Sequence, residues 1–255
     1  MMFTDTHTHL YDEQLTAEED ILMQRALDAG VTKMYMPNCD SSTISEMMRI
    51  AKKFPDNCYP MMGLHPCYVK ENYVQELAIV EDWLKKEKFY GVGEIGLDYY
   101  WDVTHVPQQV MAFEQQIDWA LQYDLPIIIH SRESTSDCID IVRKKQNGNL
   151  RGIFHCFSGT LEEAKQIRDL GFYLGVGGVV TFKKSSLPDI IQNIGISNLV
   201  LETDAPYLAP VPYRGKRNES SHIPLIADKI SDILALPVDE VARITNENAQ
   251  KVFRN

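Results

Sequence analysis

Hydrophobic residues in this chain gather into eight short runs rich in β-branched and aromatic types: Met2–His7, Lys33–Pro37, Tyr59–Leu64, Tyr90–Ile95, Pro126–His130, Gly152–His155, Phe172–Val176 and Asn198–Glu202. Such runs, bounded by turn residues, read as strands. A helical pattern follows each of them. Thr16-x-x-Glu19 reads as a capping box opening a helix that ends near Gly30, and Thr43-x-x-Glu46 repeats the device after the second run. Glu76 to Lys88 carries Leu77, Val80 and Leu84 at helical spacing. Pro107 suits the first turn of a helix with Val110, Phe113, Ile117 and Leu121 on one stripe. Further helices are predicted over Ser136–Lys145, from a Thr160-x-x-Glu163 capping box to near Gly171, and over Leu187–Ile194, Leu225–Leu234 and Val238–Phe253.

Strict βα alternation along the whole chain predicts an α/β fold, a (β/α)8 TIM barrel, as a single domain over residues 1–255. A doubly wound open sheet also alternates. Against it, no Gly-x-Gly-x-x-Gly follows the first run. Gly91-Val92-Gly93 and Gly175-Val176-Gly177-Gly178 fall inside runs, where glycine relieves crowding in a barrel wall.

Composition narrows the classes. At 255 residues with 44% hydrophobic content, the chain can bury one large core. The start lacks a basic segment, and Asp5 and His7 interrupt any apolar run, so no secretory signal is read there. Phe172–Phe182, the longest near-apolar segment, is too short to span a bilayer. The five cysteines show no Cys-x-x-Cys spacing, which argues against a disulfide framework and a thiolate zinc site. A reducing, cytoplasmic location is therefore the default expectation; the oligomeric state is left open, with a monomer favoured. The formal net charge of −11 argues against a basic surface that wraps nucleic acid, although a local basic site remains compatible with it.

The candidate chemistry sits at the ends of the runs. His7 and His9 are two apart, so both point to one face of an extended chain. Alone, they are no more than two polar residues. Glu94, His130, His155 and Asp204 then end the fourth, fifth, sixth and eighth runs. In a barrel, the C-terminal strand ends converge on one mouth. His130 and His155 could singly be core histidines, Glu94 an ion-pair partner and Asp204 a turn cap. Together they would be several buried polar groups at one place, which metal ions would stabilise. Six ligands exceed one tetrahedral ion. Two divalent ions are expected, with Zn, Mn or Mg suited to imidazole and carboxylate. His7, His9, Glu94 and Asp204 would hold one, and Glu94, His130 and His155 the other. Asp204 is the expected general base, and Glu94 the shared carboxylate.

These residues stand in segments that resemble the TatD family of metal-dependent deoxyribonucleases, within the wider amidohydrolase-like barrels. The likeness covers the whole chain and is carried by Asp5-Thr6-His7-Thr8-His9-Leu10, Gly63-Leu64-His65-Pro66, Gly93-Glu94-Ile95-Gly96-Leu97-Asp98-Tyr99, Pro126-Ile127-Ile128-Ile129-His130-Ser131-Arg132, His155-Cys156-Phe157-Ser158-Gly159, Glu202-Thr203-Asp204-Ala205-Pro206-Tyr207-Leu208 and Thr245-Asn246-Glu247-Asn248-Ala249. The resemblance implies a (β/α)8 barrel, divalent metals at the six residues above and hydrolysis of phosphodiesters in DNA. Where many amidohydrolase barrels carry a bridging carboxylated Lys, this chain resembles TatD-like proteins in having Glu94. It departs from the family pattern after Asn218-Glu219, where Pro is expected and Ser220-Ser221 stand.

Substrate contacts are expected from the same mouth. Arg214, Lys216 and Arg217 surround Gly215 after the last run, and Arg214 and Arg217 offer bidentate forks to phosphate. Arg132 lies two residues past His130. Tyr99, with Tyr100 and Trp101, could stack on bases. His65 could contact a scissile phosphate or support a ligand. His105 and His222 are assigned no role, and Cys67 and Cys156 read as packing residues. The leading expectation is a hydrolase acting on DNA from single-stranded ends. The alternative is hydrolysis of a small-molecule or aminoacyl ester or amide on the same dinuclear site. A barrel that binds a partner without catalysis is the third, and the full ligand set argues against it.

Overall fold

The eight runs form eight strands: β1 (Phe3–Asp5), β2 (Val31–Pro37), β3 (Cys58–Met61), β4 (Val92–Asp98), β5 (Ile127–Arg132), β6 (Gly152–Phe154), β7 (Tyr173–Val176) and β8 (Leu199–Leu201). Among the described residues, ten α-helices connect and follow them: α1 (Glu13–Thr16), α2 (Glu19–Asp28), α3 (Ile44–Lys53), α4 (Tyr73–Lys86), α5 (Val106–Gln122), α6 (Thr135–Lys145), α7 (Leu161–Asp169), α8 (Leu187–Ile194), α9 (Ile223–Leu234) and α10 (Val238–Phe253). This is a computed structural model that describes residues 1–254. Every strand pair is parallel. The architecture is the expected (β/α)8 barrel.

The barrel wall consists of two continuous arcs, β1-β2-β3 and β4-β5-β6-β7-β8. Two narrow seams join them. Between β3 and β4 there is one bridge, Met62 to Val92, and the Gly93 amide donates to the Met62 carbonyl at 3.1 Å. Between β8 and β1 there is one bridge, Thr8 to Ala205, with Thr6 N–H donating to Leu201 O at 2.9 Å and Asp204 N–H to His7 O at 2.9 Å. Asn38 braces the first seam. Its amide donates to Met61 O and Gly93 O, and its carbonyl accepts from Glu94 N–H at 3.1 Å.

Inward-facing Tyr35, Met61, Ile128, Ile153 and Val200 fill the lower barrel. The last helix closes that end, with Phe253 stacked on Tyr35 at 3.6 Å between ring centroids. A second, larger cluster packs the helices against the outer faces of the strands. Two glycines answer to crowding, as expected. A Cβ at Gly93 would lie 2.7 Å from Ile128 Cβ, and one at Gly175 would collide with the Glu202 carboxylate.

The helix-start signals divide. The Thr160 box forms in full: its hydroxyl accepts from Glu163 N–H, and Glu163 returns a bond to Thr160 N–H. The other two do not form. Thr16 is already the last residue of α1, which Asp12 caps, so it cannot serve as the non-helical cap of α2. Thr43 turns its hydroxyl back to Asn38 and Asp40, fastening the β2–α3 loop instead. Helix α4 begins at Tyr73, three residues ahead of the predicted Glu76. At the departure after Glu219, Ser220–His222 makes one 3₁₀ turn. Asn218 holds the loop by donating to Thr203 O at 2.8 Å and Tyr207 O at 2.7 Å. All five thiols are free, and among the described residues no helix is long and apolar enough to cross a membrane.

One surface network carries a pH signature. Glu19 on α2 binds Arg49 and, at 2.7 Å, Lys53 of α3. The Arg49 hydrogen bonds pull its carboxyl down to about 2, with Lys53 adding to the effect. A carboxyl whose folded pKa lies below its unfolded value stabilises the fold above the unfolded pKa, and that contribution is lost as pH falls toward the folded one. Glu19→Gln should therefore lower stability by up to about 1 kcal/mol at pH 7, solvent screening having been allowed for. Urea titrations should show the gap between wild type and variant closing as the pH falls from about 5 toward 2. An equal gap at both ends would sink the assignment.

Candidate metal centre

At the C-terminal mouth of the barrel, Glu94 stands at the middle of a ring of imidazoles. It is buried, with 3% of its side chain exposed. Its Oε2 lies 3.1 Å from His7 Nε2 and 3.7 Å from His9 Nε2. Its Oε1 lies 2.8 Å from His130 Nδ1, 3.2 Å from His65 Nε2 and 3.7 Å from His155 Nε2. Burial alone would raise the carboxyl's pKa, but His65, His7 and His155 hold it well below the ordinary carboxylate range. Asp204 completes the ring, with Oδ1 3.5 Å from His9 Nε2, 3.7 Å from His7 Nε2 and 3.8 Å from His155 Nε2. All six residues expected as ligands therefore meet.

For His9, His130 and His65, hydrogen bonds decide which nitrogen faces the centre. Tyr11 Oη donates to Pro37 O, so it accepts from His9 Nδ1–H at 2.8 Å and leaves the Nε2 lone pair facing inward. His155 Nδ1 lies 3.0 Å from Glu202 Oε1, an ion-pair contact outside hydrogen-bond geometry. His130 has a carboxylate at each nitrogen: Asp98 Oδ2 at 2.8 Å from Nε2 and Glu94 Oε1 at 2.8 Å from Nδ1. His65 is the exception. Its Nδ1 accepts from Cys67 N–H at 3.0 Å, so its Nε2 carries the hydrogen, 3.2 Å from Glu94 Oε1. A neutral His65 is thus a donor to an oxyanion, which suits its expected contact with phosphate better than ligation.

This donor set fits a cation. His7 Nε2 and His9 Nε2 face each other at 3.2 Å, and the His7 ring stacks on His155 at 3.4 Å. Lone pairs so close repel unless a proton or a metal ion lies between them. His7 Nδ1 is buried with no partner among the described residues. His7, His9 and Glu94 form one group of compatible ligand atoms, and His7, His155 and Asp204 another.

Beneath the ring, Asp5 joins β1 to the loop after β8 by accepting from Thr203 N–H at 2.9 Å and Thr203 Oγ1 at 2.6 Å. Its burial pushes its carboxyl up to about 7. Asp98, Glu202, Tyr11 and Asn38 support the ring and lie outside the set of residues the sequence pattern marks. Period-two alternation could have found one of them, since Asp98 stands four residues past Glu94 on β4, whereas Glu202 and Asp204 lie beyond the end of β8. Tyr11 and Asn38 carry no comparable signal.

Two of the expected substrate contacts have partners within the chain. Arg217 is tied down: it pairs with Glu18 at 2.8 Å and donates to Gln14 O at 2.8 Å, so its fork is occupied by the α1–α2 segment. Tyr99 gives its hydroxyl to Asp137 at 2.7 Å and packs against the core. Its ring walls a cleft of about 540 Å³ with Ser131, Arg132 and Ser158. Arg132 and Arg214 differ from the other arginines. Among the described residues they alone have no carboxylate partner, and each lies over an aromatic ring, Arg132 on Tyr100 at 3.8 Å and Arg214 on Phe182 at 4.5 Å.

Known proteins place this geometry in context. The model of the TatD related DNase family matches residues 4–254. An uncharacterized metal-dependent hydrolase of Bacillus subtilis, YabD, is 36% identical over 254 residues, covering 99% of both chains. YjjV of Escherichia coli, also named an uncharacterized metal-dependent hydrolase, is 30% identical over 98% of this chain and 97% of its own. The crystal structure of YjjV, described as a TatD homolog, superposes with a TM-score of 0.93 at 28% identity, over 99% of this chain and 98% of that one.

Proposed function

The chain belongs to the TatD-related DNase family of metal-dependent hydrolases, and we propose that it cleaves phosphodiester bonds of DNA, working inward from single-stranded ends. The observation that carries this reading is the pair of arginines without carboxylate partners, Arg132 two residues past His130 on β5 and Arg214 in the loop that follows β8. A chain of net charge −11 that leaves two guanidinium groups without carboxylates beside its candidate site is suited to an anionic substrate.

In this reading His7, His9, Glu94 and Asp204 hold one divalent ion, and Glu94, His130 and His155 a second, with Zn, Mn or Mg as candidates. Such ions, when bound, supply a water of lowered pKa and neutralise charge on the phosphate oxygens. The protein's own groups do the rest. The Asp204 carboxylate accepts the proton of the attacking water. It is 15% exposed, while Glu94, Asp98 and Glu202 are at most 3% exposed, so among the carboxylates of the cluster it has the best access to solvent. His65 donates from Nε2 to a phosphate oxygen. Asp98 and Glu202 orient His130 and His155.

The test is direct. Purified protein supplied with Mg²⁺, Mn²⁺ or Zn²⁺ should shorten an end-labelled single-stranded oligonucleotide, with intermediates forming a ladder from one end. Hydrolysis of a carboxylic ester without any DNA cleavage, in protein shown to carry its metals, would overturn the proposal in favour of a small-molecule or aminoacyl ester.

A further inference from the structure

Just outside the imidazole ring, the β4–α5 turn presents two aromatic rings to solvent. Tyr100 is 50% exposed and Trp101 67%. Their rings meet edge to face, 5.0 Å apart at 85°. The Arg132 guanidinium lies 3.8 Å from the centre of the Tyr100 ring and 5.4 Å from that of Trp101. The turn is built to hold this arrangement. Asp98 Oδ1 accepts from Tyr100 N–H and Trp101 N–H, both at 2.9 Å. The other oxygen of the same carboxylate accepts from His130 Nε2 at 2.8 Å. One buried carboxylate thus sets both a candidate metal ligand and the aromatic turn. Arg132 follows His130 by two residues on β5, or about 6–7 Å along the strand.

Exposed aromatic rings beside a guanidinium that has no carboxylate match the chemistry of a nucleotide, a π-face carrying an anion. We propose that Tyr100, Trp101 and Arg132 form a stacking subsite for a nucleobase of single-stranded DNA next to the bond being cut. The proposal rests on the nuclease reading above and narrows it, because a small ester has nothing to place there. Arg132 has two tasks in it: it extends the flat surface and directs its N–H groups to the adjoining phosphate. Trp101 is the ring most open to solvent, while Trp119 is buried, so a base landing on the subsite alters the emission of the most accessible tryptophan.

The experiment compares wild type, Trp101→Ala and Trp101→Phe on two substrates, an oligothymidylate and bis(p-nitrophenyl) phosphate. Base stacking of this kind is worth roughly tenfold in binding. Trp101→Ala should raise KM for the oligonucleotide about tenfold with kcat retained, and Trp101→Phe should restore most of the loss. The efficiency ratio between the two substrates should fall at least about fivefold in the Ala variant. With metals removed by chelation, oligothymidylate should quench wild-type tryptophan emission and bind less tightly to Trp101→Ala. Equal KM values in an enzyme that cuts DNA would overturn the subsite and leave the nuclease reading intact. Binding that depends on Trp101, without cleavage under any metal, would do the reverse. A dimer that dissociates on Trp101→Ala in sedimentation, with DNA binding unchanged, would assign the rings to self-association and overturn the subsite.

Discussion

Replacing Glu94 with Gln will cost the protein metal affinity at both halves of the centre while leaving the barrel folded. The carboxylate presents Oε2 to His7 and His9 and Oε1 to His65, His130 and His155, so both groups of imidazoles depend on one side chain. An amide of the same shape keeps one acceptor oxygen and turns an N–H₂ toward the other group, where it meets the inward-facing lone pairs. It also removes the negative charge that would offset the two cations of the proposed dinuclear reading. Loss of an outer-sphere partner commonly costs about 10- to 100-fold in metal affinity. Loss of the shared ligand should exceed about 100-fold, with activity below detection. Metal analysis after dialysis, alongside thermal unfolding, reads both outcomes. Two ions per chain retained in Glu94→Gln would sink the bridging assignment.

Asp204→Asn should separate chemistry from metal loading. Asn keeps a carbonyl oxygen of the kind that faces His7 and His9, so the metals should largely remain. What is lost is a carboxylate able to take a proton. Burial opposes its ionisation, but His155 first, then His9 and His7, lower its pKa, so it is ionised and ready to accept at neutral pH. Removing a general base typically costs about 10²- to 10⁴-fold in rate. That loss should fall on kcat, with KM little changed and the metal content near that of wild type. A variant within tenfold of wild type in its metal-loaded form would remove Asp204 from the proton transfer.

The barrel and the six ring residues were legible in the sequence for one reason. Both depend on local order: strands and helices alternate, and strand ends share a mouth. What escaped depends on contacts between distant segments. Arg217 looked available because nothing near it in the chain is acidic except Glu219, yet its partner Glu18 lies 199 residues away. Tyr99 and Trp101 could not be ranked without knowing which way the turn after β4 faces. The Asp98 carboxylate makes that choice through two backbone amides. Of three similar Thr-x-x-Glu motifs only the one at Thr160 forms a cap, because Thr16 and Thr43 find their conformation or their hydroxyl already committed. His65 shows that position is less informative than tautomer: it sits among the ligands, but a backbone amide takes its lone pair.

The two seams in the barrel wall give the centre a mechanical side. His7, His9 and His65 belong to the first arc or the loops that leave it, and Glu94, His130, His155 and Asp204 to the second. Each seam has a single bridge, and each lies beside ring residues, Glu94 at one and His7 with Asp204 at the other. Whatever binds the ring therefore draws the two half-walls together, like a clasp closing a bracelet. The metal-free protein should exchange its amide hydrogens soonest at Met62, Gly93 and Thr6, along those seams, and a bound ion should slow that exchange far more than it slows exchange in the middle of either arc.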